Sequence, residues 1–263
     1  MPSTYTHTCF GARVLTLLPL KIRCTMEAYR SLYDVGLQGP DVLFHYKALK
    51  KNPINELGRA MHRWSGKRFF ASIVDKAQDD AAKAYLCGVL CHFALDSTCH
   101  SAVNASAARA DVHHFDVETE LDRTMMLRDG LDPVTFHPTA HFMASTDLCR
   151  VMADFYGIAP REAKAAVKGM KNNIDLLVPR NALWRGFVGG VLKAVHASAF
   201  YRLIIPKCAP QGLPEEMPHL VELNEQAEAV AQRLILAFFD GTLLDDEQLL
   251  LDFATGKKVE EKQ

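Results

Sequence analysis

The sequence predicts an all-α protein built as a single helical domain, and three observations point that way. Apolar residues recur at the three- and four-residue spacing of a helix face through most of the chain. Turn chemistry separates those stretches at Gly36-Leu37-Gln38-Gly39-Pro40, Lys50-Lys51-Asn52-Pro53, Asp132-Pro133 and His137-Pro138. No alternating strand pattern, internal repeat or Gly-rich phosphate loop stands out.

Val14, Leu15, Leu17 and Leu18 open a first helix, and residues 24–32 continue it or form a second. Pro40 suits the first position of a helix running through Asp41-Val42-Leu43-Phe44. Helices are predicted over about 55–64 and 69–76. The strongest pattern covers about 79–103, where Ala, Leu, Cys and Phe fill nearly every side, as in a buried central helix. Further helices are predicted over about 112–129, 140–156, 160–177, 184–204 and 220–239, with a short one near 245–253. Residues 1–256 form the expected domain, and 257–263 a charged, frayed tail.

With 263 residues, 49% hydrophobic and 23% charged, the chain is large enough for a sizeable core. Its net charge of −1 provides no global field toward DNA, RNA or an anionic membrane, so no stable nucleic-acid partner is expected. Seven cysteines, an odd number without a CxxC pair, argue for free thiols rather than a disulfide framework. Cys87 and Cys91 read as small buried hydrophobes. Residues 1–5 lack the pattern of a signal peptide, and the apolar run 187–205 is broken by Lys193, His196 and Arg202. A cytoplasmic protein without a transmembrane segment is the expectation.

Histidine carries more information. Seven of the eleven (His7, His45, His62, His92, His100, His113 and His114) fall in the first 114 residues. Residues four apart lie about 40° apart around a helix, so His92, Asp96 and His100 form a slowly winding stripe on an otherwise apolar helix. Three buried ionisable groups need partners, and a divalent metal satisfies them together. The next predicted helix places His114 and Glu118 one turn apart. Two such helices face to face build a multinuclear metal site, by the economy that puts two zinc ligands on one turn of HExxH.

His7, Gly39-Pro40-Asp41, His62, the 92–100 stretch and His114-x-x-x-Glu118 together resemble the zinc-dependent phospholipase C family. P1-type nucleases share its trinuclear zinc site more distantly, and the likeness here is closer to the family's cytoplasmic branch. It covers about residues 2–141. The resemblance implies two or three zinc ions. One is held by Asp41, His62 and His92 with Asp96 completing or bridging, one by His100, His114 and Glu118, and one by His7, Asp96 and the N-terminal amine. His45, one turn after Asp41, is a rival to His62. In such a site zinc lowers the pKa of a bridging water and clamps the phosphate, and the resemblance makes Asp41 the general base. The implied function is phosphodiester hydrolysis, with a phospholipid headgroup bond as the first candidate substrate. A nuclease or small-molecule phosphodiesterase uses the same metals, and a non-catalytic protein stapled by structural zinc is the rival class.

The remaining candidates receive plainer readings. His113 and His219 are expected in solvent, His196 in the core, and His137 and His141 kept out of register by Pro138. Glu120 and Asp122 read as a solvated face with a salt bridge to Arg123. Trp184, Phe187, Phe200 and Tyr201, interleaved with Arg185, Lys193 and Arg202, read as core packing with snorkelling basic side chains. Lys47, Lys50 and Lys51 read as a solvated turn near the site.

Overall fold

The computed structural model describes residues 4–178, 181–194 and 201–259. In chain order its α-helices are α1 (Thr4–Leu17), α2 (Leu20–Ala28), α3 (Arg30–Gly36), α4 (Pro53–Met61), α5 (Gly66–Ala71), α6 (Asp80–Ala110), α7 (His114–Arg128), α8 (Thr146–Tyr156), α9 (Pro160–Leu177), α10 (Ala182–Ala194) and α11 (Met217–Phe239). Tighter 3₁₀ turns cover Gly39–His45, Val74–Lys76, Leu243–Asp245 and Glu247–Leu250. The protein is all-α: the described residues contain no strand, only the isolated bridges Ser65–Asp252 and Leu251–Lys258. No helix among them is long and apolar enough to cross a membrane.

The 31 residues of α6 form an axis roughly 46 Å long, and α11, α3, α1, α7 and α8 pack around it. Tyr85, Leu86, Val89, Leu90 and Phe93 are fully buried, which explains the apolarity of this helix on every side. Asp79 caps its start by accepting from the Ala82 N–H at 2.8 Å. Where α3 crosses it, Gly36 meets Gly88 so closely that a Cβ on either would strike the other helix's backbone. That approach brings the carbonyl of Leu37, just past α3, within 3.2 Å of His92.

Several boundaries differ from the sequence reading for identifiable reasons. The first helix begins at Thr4, well before Val14, because a partner distant in sequence caps it. Asp122 on α7 accepts from the Tyr5 N–H at 3.2 Å, the Thr6 N–H at 2.8 Å and the Thr6 hydroxyl at 2.6 Å. Glu120 and Asp122 are therefore not a solvated face; both are buried, although Glu120 does pair with Arg123 at 2.8 Å. The helix expected after Pro40 is a 3₁₀ turn, and α6 runs on to Ala110. The helix placed near 140–156 starts only at Thr146, behind the Ser145 cap. Of the expected helix 184–204, residues 182–194 are helical and Ile204 lies in a turn. His196 and Phe200 lie outside the described residues. Residues 257–259 are tied down: Lys257 accepts from the Asp252 N–H, and the Val259 N–H donates to Leu250. All seven cysteines are free thiols, with Cys87 and Cys91 buried.

The aromatic stretch of α10 also departs from expectation. Its Val188 and Leu192 join Leu177 and Ile204 in a small second core. Leu183, Phe187 and Val191 instead face outward, so this helix is not packed on all sides.

Candidate metal centre

Eight side chains from five segments converge beside the middle of α6. That helix supplies His92, Asp96 and His100; α1 supplies His7; the Gly39–His45 turn supplies Asp41; His62 ends α4; and α7 supplies His114 and Glu118. Only three residues join α6 to α7, so the two helices turn back on one another and His100 faces Glu118. His113 caps α7, accepting from the Phe115 N–H, while Asp116 reaches back to the His113 N–H at 3.0 Å.

The ligand-type atoms gather in three groups that could each hold a metal ion: Asp41, His62 and His92; His7, His92 and Asp96; and His100, His114 and Glu118. Asp41 stands 2.5 Å from His62 and 3.9 Å from His92 through its two oxygens. Asp96 reaches His7 at 3.3 Å and His92 at 3.2 Å, and lies 3.8 Å from His100. Glu118 receives His100 at 3.2 Å and His114 at 3.1 Å. Asp96 thus sits between the groups, where a bridging carboxylate belongs.

Two observations show that these residues fit a metal. Four imidazoles have Nδ1 held by an oxygen: His62 by Gly58 at 2.7 Å, His92 by Leu37 at 3.2 Å, His114 by Asn104 at 2.8 Å, and His100 by Phe253. With Nδ1 so engaged, each Nε2 points toward the carboxylates, the orientation that zinc-ligating histidines require. The second observation is a set of poorly satisfied polar atoms. His92 Nε2, His62 Nε2, Asp41 Oδ1 and His7 Nδ1 are buried without a well-directed hydrogen bond, although both Nε2 atoms face carboxylates, and a cation between the Nε2 and carboxylate atoms would relieve that cost.

Backbone conformation helps to aim Asp41. Gly39 has φ +50°, in the left-handed region, and a Cβ there would collide with the His92 ring. Glycine is thus required twice, for the turn and for the ring that packs on it.

The charges are arranged in opposed pairs. Burial would raise the Asp41 carboxyl, but His62 and His92 outweigh it and hold the group below its ordinary range. Burial raises Asp96 and Glu118 in the same way, and the facing imidazoles again win. Burial pushes His92 down to about 4, leaving it neutral and ready to ligate. His100 goes the other way: burial lowers it, but Asp96 and Glu118 raise it to about 9.

A pH dependence of zinc binding follows. His100's folded pKa lies above its ordinary 6.5, so without metal its charge pairing is complete below about 6.5 and lost as pH rises through about 9. A zinc ion held by this group would displace that proton. Its affinity for the His100, His114 and Glu118 group should rise up to about tenfold per pH unit between about 7 and 9, then level off. Competition titrations against a chelator, with released protons counted, measure this; equal affinity across that window would mean His100 is already neutral.

The other candidates lie apart from these groups. His45 is buried, accepts from the Asn173 amide at 3.2 Å and is pushed by burial to about 4, but it belongs to none of the three groups. His137 pairs with Asp175 at 2.9 Å, and His141 stands 3.8 Å from Asp34. His113 and His219 are exposed, as are Lys47, Lys50 and Lys51. Sequence reasoning missed four oxygens that orient the imidazoles. Asn104 was discoverable, because it extends the 92, 96, 100 stripe by one more turn. The carbonyls of Leu37, Gly58 and Phe253 leave no trace in residue type.

No curated protein and no solved structure matches the chain. The family model for zinc-dependent phospholipase C matches residues 6–167, a span that contains all eight converging residues and most of the sequence. The chain therefore belongs to the zinc-dependent phospholipase C family.

Proposed function

We propose that this protein is a zinc-dependent phosphodiester hydrolase of phospholipase C type, with two or three zinc ions held by His7, Asp41, His62, His92, Asp96, His100, His114 and Glu118. The observation that carries the reading is the set of four imidazoles locked through Nδ1, with Nε2 turned toward buried carboxylates. A merely packed core has no need to gather several buried Nε2 atoms against several carboxylates without well-directed hydrogen bonds, as His62 and His92 are gathered here.

Zinc, when bound, supplies Lewis acidity toward a phosphoryl oxygen and makes water a stronger acid. The residues do the rest. Asp41, held ionised by His62 and His92, would accept a proton from the attacking water. Asp96 keeps the neighbouring groups in register, and Glu118 with His100 and His114 holds the second ion. Each group offers three side chains among the described residues, fewer than the four of a closed structural zinc shell, which supports catalysis over a structural staple. The substrate class proposed is a phospholipid, cleaved at the headgroup phosphodiester.

Metal analysis joined to a substrate panel tests this. After zinc reconstitution, elemental analysis should give two to three ions per chain. Against phospholipid, dinucleotide and small aryl phosphodiesters, the zinc-loaded protein should cleave phospholipid best. Less than one ion per chain would end the metal reading. Full zinc without hydrolysis of any phosphodiester would make the ions structural.

A further inference from the structure

The outward face of α10 is apolar in a way that the bundle does not use. Leu183, Phe187 and Val191, each four residues from the next, are 85%, 62% and 44% exposed. The row one position on, Val188 and Leu192, is the one that packs inward. Tyr201 lies against Gly189, on the side of the helix opposite Phe187, and so is not part of this row. This helix lies beyond residue 167, so the family match says nothing about it.

The charge of the surrounding sequence is equally one-sided. Between Asp175 and Glu215 there is no acidic residue, while Arg180, Arg185, Lys193, Arg202 and Lys207 are basic. Five positive charges in a chain of net −1 leave the rest of the molecule acidic. Arg202 spends part of its charge on Asp116 of α7, which also places this region beside the helix carrying His114 and Glu118.

An exposed row of Leu, Phe and Val, in a stretch of sequence that carries basic residues and no acidic one, has the chemistry of an interfacial helix. Apolar side chains enter the headgroup boundary while Lys and Arg meet anionic lipid, each basic residue adding to the attraction. A second copy of this chain is a poorer occupant, because it would set like charge against like. We propose that α10, through Leu183, Phe187 and Val191, docks this protein on the surface of a bilayer containing anionic phospholipid. The inference does not depend on catalysis, since docking requires neither zinc turnover nor Asp41.

The test is sedimentation of the zinc-loaded full chain with vesicles of phosphatidylcholine alone or with about 30% phosphatidylserine. Binding should be at least about tenfold tighter to the anionic vesicles and should weaken in high salt. The double variant Leu183→Ser/Phe187→Ser should lose at least about tenfold of that binding, with its circular dichroism and zinc content unchanged. Lys207→Glu, at an exposed position, should reduce the preference for anionic vesicles severalfold. Hydrolysis of a water-soluble phosphodiester by the double variant should match wild type, which separates a failure of docking from a failure of the hydrolase reading. Equal binding to both vesicles, or undiminished binding by the double variant, would overturn the proposal. So would a wild-type dimer in light scattering that the double variant dissociates, because the face would then belong to a second copy.

Discussion

Asp41→Asn is expected to lower phosphodiester hydrolysis by ~10²–10⁴-fold, the usual contribution of a general base. The asparagine keeps the shape of the side chain and one carbonyl oxygen for a metal but cannot accept the proton of the attacking water. The surroundings of Asp41 make this a clean comparison. The carboxylate is buried, held ionised by His62 and His92, and placed by a turn that includes Gly39 with φ +50°. Zinc content should fall by no more than one ion, because His100, His114 and Glu118 do not involve Asp41. Steady-state rates and metal content measured on the same preparation decide the matter. A variant that keeps its zinc and matches wild type in rate would remove Asp41 from the chemistry.

His92→Ala should have the larger effect on the protein itself. His92 is fully buried, belongs to two of the three ligand groups and stacks on His7 at 4.5 Å between ring centroids. Truncation opens a cavity beneath Gly39 and removes the imidazole that faces Asp96 at 3.2 Å and Asp41 at 3.9 Å. Breaking such a buried pairing costs about 3–5 kcal/mol, which for a chain of this size lowers the melting temperature by roughly 10 °C. Loss of at least one zinc per chain should accompany the thermal shift, since bound metal contributes directly to folding free energy. Differential scanning calorimetry with and without a chelator separates the two contributions. An unchanged melting temperature with full zinc would show that His92 is only a packed core residue.

The sequence by itself determined the helical class, the central helix and the stripe of ligand-type residues, and the reason is local. Periodicity at three and four residues is a property of one helix, so His92, Asp96 and His100 share a face wherever α6 is placed, and His114 and Glu118 do so on α7. Asp41 and His62 were legible only through the family resemblance, because nothing local in Gly39-Pro40-Asp41 says what it will meet. Tertiary structure settled what depends on partners distant in the chain. It set the start of α1, which Asp122 caps across 116 residues of sequence, and thereby the burial of an acidic pair that reads as solvated. It brought the Phe253 carbonyl to His100 from 153 residues away. It also gave α10 its two faces. Trp184, Phe187, Val188 and Val191 are alike as letters, yet Val188 found Leu177 and Ile204 to pack against and Phe187 did not. Burial is a property of neighbours brought together by folding, and a run that is apolar on every side does not record which side they will take.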